Sequence, residues 1–99
     1  MSELQVTIST LTSQADELAA LNGQFKASIE QLISFENDLN SMWDGEANDA
    51  FHTAFTNDQG KMNEFYNLVL QYIEKLRMIA QRYADAEASN AQIASQRTY

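Results

Sequence analysis

Residues 40–47 read Asn-Ser-Met-Trp-Asp-Gly-Glu-Ala, and two long apolar repeats change phase across them. Steps of four and three residues from Leu4 land on Ile8, Leu11, Ala15, Leu18, Asn22, Phe25, Ile29, Leu32, Glu36, Leu39 and Trp43, apolar at nine of the eleven. The same steps from Phe51 reach Phe55, Asp58, Met62, Phe65, Val69, Tyr72, Leu76, Ile79, Tyr83 and Ala86, apolar at nine of the ten. A strand would alternate every second residue, whereas a seven-residue repeat is the mark of one helix face. Trp43 to Phe51 is eight residues, so the repeat slips there and nowhere else. The pattern predicts an all-α fold, a helix–turn–helix hairpin in a single domain spanning 1–99. Its seam is drawn from Leu11, Leu18, Phe25, Ile29, Leu32 and Leu39 on one helix, and from Phe51, Phe55, Met62, Phe65, Val69, Tyr72, Leu76 and Ile79 on the other.

The residues at the slip suit a reversal. Gly45 permits a backbone conformation that other residues resist, Asp44 can cap the following helix, and Glu46 suits the positive end of a helix dipole. Trp43 reads first as a bulky plug completing the seam. At the other end, Ser2-Glu3-Leu4-Gln5 has the form of a capping box. Gly23 and Gly60 leave the repeat in phase, so both are read as mid-helix glycines, with a bend near Gly60 allowed for. The absence of proline fits two unbroken helices. The expected limits are about 3–42 for helix one, 43–45 for the turn and 46–88 for helix two. The β-branched run Val6–Thr12 argues against an early start, and the polar residues 89–99 are expected to form a flexible tail.

Composition narrows the function classes. Residues 1–49 hold nine acids against Lys26 alone, while residues 50–99 balance five acids with five bases, giving a formal charge of −8. This argues against nucleic acid or an anionic membrane as partner. The acidic half reads as a solvated face. With no cysteine, disulfides and thiolate metal sites are excluded. The start MSELQVTIST lacks a basic segment followed by an apolar one, so no cleaved secretory signal is expected, and no apolar run reaches the length of a membrane span. A single histidine, His52, stands without a nucleophile motif, which predicts a non-enzyme without catalytic residues. Asp49 and His52 have the i, i+3 spacing of a di-iron bundle, but Glu36 is the only seam carboxylate in helix one, so no metal and no cofactor are expected.

Two helices alone cannot bury all the apolar residues. Leu21, Ile33, Phe35, Met42, Tyr66, Leu68, Leu70, Ile73 and Met78 fall outside the seam, and exposed apolar area of that extent marks an association face. Pairing two hairpins into a four-helix bundle would cover it, so a dimer is expected.

Trp43-Asp44-Gly45, lying mid-chain between two amphipathic helices with Ala50-Phe51 just beyond, resembles the W-x-G signature of the WXG family, the small ESAT-like proteins of type VII (ESX or Ess) secretion systems. Tyr83-Ala84-Asp85-Ala86-Glu87 is similar to that family's Y-x-x-x-[DE] export element, matched at Tyr83 and Glu87. The resemblance implies a hairpin that pairs with itself or with a WXG paralogue into an antiparallel four-helix bundle. It also implies synthesis in the cytoplasm and export in the folded state, without a cleaved signal, by an FtsK/SpoIIIE-like secretion ATPase. Such a protein would act outside the cell as an interaction protein or virulence effector. The alternative is an escort that pairs with a larger secreted toxin and presents the export signal for it. Gly45 and Tyr83 lie 38 residues apart, about 57 Å along a helix, so a recognition patch joining them would need two antiparallel copies.

Overall fold

The computed structural model describes residues 2–43 and 45–96, in two helices, α1 (Glu3–Met42, 40 residues) and α2 (Glu46–Gln96, 51 residues). They form a hairpin, and the described residues contain no strand. Asp44, expected to cap α2, lies outside the described residues, as do Met1 and the last three residues.

The start of α1 is fixed by its cap. The Gln5 N–H donates to Ser2 Oγ at 3.1 Å, and the Ser2 N–H donates to Gln5 Oε1 at 3.0 Å, so two donors at the helix end are satisfied reciprocally. This cap starts the helix ahead of the β-branched run, and Thr7 within that run returns its hydroxyl to the Glu3 carbonyl at 3.0 Å. At the other end α2 does not stop near residue 88 but continues to Gln96. Residues 88–96 are all exposed, and Ala88, Ala91 and Ala94 supply strong helix formers with neither glycine nor proline to interrupt them.

The chain divides into two compact units, Ala20–Leu70 and Met1–Ala19 with Gln71–Tyr99. The first holds the turn and is packed around Ile29, 1% exposed, and Val69. Phe25 meets Phe65 edge-on at 5.7 Å. Its inner face is unusually polar. Buried Asn22 donates to the Tyr66 carbonyl at 3.2 Å, and Lys26 donates to Asn63 Oδ1 at 3.3 Å while lying 5.3 Å from the centre of the Tyr66 ring. The second unit is packed around Ala15, Ile73 and Ala80, with Arg77 bonded to Asp16 at 3.2 Å. Ala80 and Ala84 help line a recess of about 220 Å³ there.

On α1 the inner residues follow the expected repeat: Ala15, Asn22, Ile29 and Glu36 are buried, and Leu11, Leu18, Phe25 and Leu39 are half-buried. Leu32 is exposed and Ile33 takes the inner position beside it. On α2 every other step moves by one residue. Phe55, Met62, Val69 and Leu76 turn inward, but Phe65, Tyr72 and Ile79 lie exposed, and Tyr66, Ile73 and Ala80 replace them. Phe51 is exposed too. A bundle helix carries about three apolar residues in seven, so two seams one residue apart both fit the letters.

Candidate functional site

The turn is built around one backbone conformation. Gly45 has φ of +112°, a region that residues with a side chain rarely adopt, and its carbonyl accepts the Asp49 N–H at 3.1 Å to open α2. Just before it, Trp43 leans on Phe51 with ring centres 5.8 Å apart, and Phe51 stacks on Phe55 at 6.4 Å. Trp43 nevertheless remains 39% exposed. The turn thus presents an indole braced from behind and not enclosed.

Behind the turn come two polar rungs in the same unit. Glu36, 3% exposed, pairs with Nδ1 of His52, whose side chain is half exposed. One helical turn nearer the reversal, Asn48 donates to Asn40 Oδ1 at 2.8 Å, and the buried Asn48 Oδ1 has no hydrogen-bond partner. A buried carboxylate requires a partner, and His52 supplies it. Glu36 and His52 lie equally far from residue 44, as do Asn40 and Asn48, and as do Asn22 and Tyr66. Counting outward from the turn is the signal that identifies all three contacts. Among the described residues no three His, Cys, Asp or Glu side chains gather as a metal site.

The other unit carries Tyr83 and Glu87. They stand one helical turn apart on α2, with Tyr83 41% exposed and Glu87 half-buried. The Ser2 hydroxyl lies 3.3 Å from Glu87 Oε1. Since Ser2 Oγ already accepts from Gln5, its single proton is free for the carboxylate, and the cap of α1 thereby restrains the Glu87 side chain. This restraint was hidden in the sequence by a separation of 85 residues. Trp43 and Gly45 fall in one unit and Tyr83 and Glu87 in the other.

The arrangement defines a class: a two-helix hairpin whose reversal is a Trp-x-Gly turn, with a Tyr/Glu pair late in the second helix. Residues 3–88 match the sequence model of WXG100, described as proteins of 100 residues with WXG, and the chain belongs to that family. Searches of curated proteins and of solved structures gave no match. Members of the WXG100 family are small non-enzymatic proteins of type VII secretion systems. No helix of the described residues is long and apolar enough to cross a membrane.

Proposed function

We propose that this chain is a type VII secretion substrate that leaves the cell as a folded dimer, and that the exporter reads a composite formed by two copies. Trp43 and Gly45 of one copy would stand beside Tyr83 and Glu87 of the other, giving a shaped aromatic pair with one restrained carboxylate. The secretion ATPase of the FtsK/SpoIIIE-like type would then engage assembled pairs in preference to single chains. Outside the cell the protein acts by binding other proteins.

The supporting observation is the exposure of both aromatic members of the signature. Trp43 and Tyr83 are 39% and 41% exposed, although large aromatics are normally drawn into a core when one is available. The total area points the same way. The chain exposes 7489 Å², against about 5,700 Å² expected for a folded monomer of its mass. The excess, about 1,800 Å² on each chain, is above the roughly 800 Å² per partner of a standard interface and falls in the range of obligate dimers.

The test is secretion of Tyr83→Ala and Glu87→Ala from a host with an active type VII system, with folding and dimer mass checked on purified protein. Retained folding and pairing with secretion reduced at least tenfold is the expected result. Normal secretion of both folded variants would overturn the composite signal. Purification from the native host separates the escort role: a large toxin held in stoichiometric amount would assign it.

A further inference from the structure

Asn22-Gly23 is a residue pair that elsewhere marks a tight hairpin turn, yet here it lies in the middle of α1. The chain has eight asparagines, and Asn22 alone is followed by glycine. That neighbour matters chemically. The backbone nitrogen of the next residue is the nucleophile that attacks an asparagine side chain, and glycine leaves its approach clear of a Cβ. This reaction is one reason asparagine counts among the thermolabile residues. Packing does not require the glycine, because Gly23 is exposed and a Cβ there meets nothing within 4 Å.

The fold withholds the reaction in three ways. Asn22 is 4% exposed, so the water that would complete the conversion is kept from it. Its Nδ2 donates to the Tyr66 carbonyl at 3.2 Å, which holds the side chain toward α2 and away from its own backbone. The helical dihedrals of α1 keep the Gly23 nitrogen aligned with the helix axis, in the i→i−4 ladder, where it does not face Asn22 Cγ.

We propose that Asn22 is a covalent modification site armed by unfolding: a chain whose α1 comes apart deamidates there and loses the ability to regain the fold. In the open chain the Gly23 nitrogen gives up its proton and bonds to Asn22 Cγ. The Cγ–Nδ2 bond breaks, and ammonia leaves with that proton. Water then opens the resulting succinimide at one of its two carbonyls. One opening yields aspartate, and the other yields isoaspartate, in which the main chain runs through the side-chain carbons. Water is the only co-reactant.

Both products fit the folded site badly. Aspartate places a carboxylate where a donor faced the Tyr66 carbonyl, acceptor against acceptor at a buried position. Lys26, one helical turn along, is already held by Asn63 Oδ1 and lies over the Tyr66 ring. Isoaspartate lengthens the main chain by one carbon inside α1 and interrupts the hydrogen-bond ladder there. The folded chain thus protects Asn22, and the modified chain cannot recover that protection. The guard needs neither pairing nor export, since Asn22 and Tyr66 belong to one compact unit of a single chain.

The test holds purified protein in mildly alkaline buffer with and without guanidinium chloride. Conversion at Asn22 is followed by peptide mass mapping and by isoaspartyl methyltransferase labelling. It is expected to run at least about tenfold faster in denaturant, because the native rate is the open-chain rate scaled by the fraction of time α1 is open. Gly23→Ala keeps the helix and is expected to remove most of the conversion in denaturant. After the denaturant is removed, folded protein is isolated by size exclusion and checked by circular dichroism. Isoaspartate at position 22 is expected to be at least about tenfold depleted in that fraction. Asn22→Asp isolates the other product and is expected to unfold at lower denaturant than the parent. Equal conversion with and without denaturant would overturn the guard. Modified chains that refold as fully as unmodified ones would overturn the one-way step, and conversion unchanged by Gly23→Ala would overturn the assignment to this pair.

Discussion

Gly45 and Gly23 are the same residue under opposite constraints. A Cβ built at either meets nothing within 4 Å, so any effect of substitution comes from the backbone. At φ +112° an alanine is strained, and Gly45→Ala is expected to cost about 1–2 kcal/mol. Gly23 sits inside α1, where alanine is the better helix former, and Gly23→Ala is expected to add about 0.5–1 kcal/mol. Urea unfolding at one fixed protein concentration reads both. The Glu36–His52 pair makes a different kind of residue-scale statement. His52→Ala leaves a buried carboxylate without its partner and is expected to cost about 1–3 kcal/mol, whereas Glu36→Leu combined with His52→Leu is expected to stay within about 1 kcal/mol of the parent. The same unfolding experiment decides it. The sequence exposed both members of that pair, Glu36 as the lone seam carboxylate of helix one and His52 as the lone histidine, but their meeting depends on where the chain reverses.

At the scale of the element, α2 shows how far periodicity alone reaches. The helix, its start and its inward residues Phe55, Met62, Val69 and Leu76 follow the seven-residue repeat. The alternate residues do not, because Phe65-Tyr66 and Tyr72-Ile73 are adjacent apolar pairs and hydropathy cannot choose between neighbours. Gln59 and Ala80 hid the inner row further, since neither letter announces burial. The difference has a measurable signature. Ile73 is 5% exposed and Tyr72 53%, so Ile73→Ala is expected to lower unfolding stability by about 2–4 kcal/mol. Tyr72→Ala is expected to weaken self-association and to perturb the hairpin less. Thermal unfolding together with sedimentation separates the two effects. The continuation of α2 through Gln96 was illegible for another reason: local alanines hold it, without the apolar face by which helices are usually recognised.

At the scale of the whole molecule, the chain combines a thin interior with a broad apolar exterior. Phe35, Met42 and Phe65 are 63%, 77% and 56% exposed, and only five apolar residues are buried among those described. Family membership places such a chain among the small proteins of type VII secretion systems, and the proposed pairing would supply the missing interior. The W-x-G turn and the Tyr/Glu pair were legible as letters, while the hydroxyl of Ser2 beside Glu87 was not, because a capping serine looks complete once its own helix is satisfied. That contact has a practical meaning for anyone handling the protein. Residues fused ahead of Ser2, such as an affinity handle, would be added one hydrogen bond from Glu87, so a label placed elsewhere on the chain keeps its bulk away from that carboxylate.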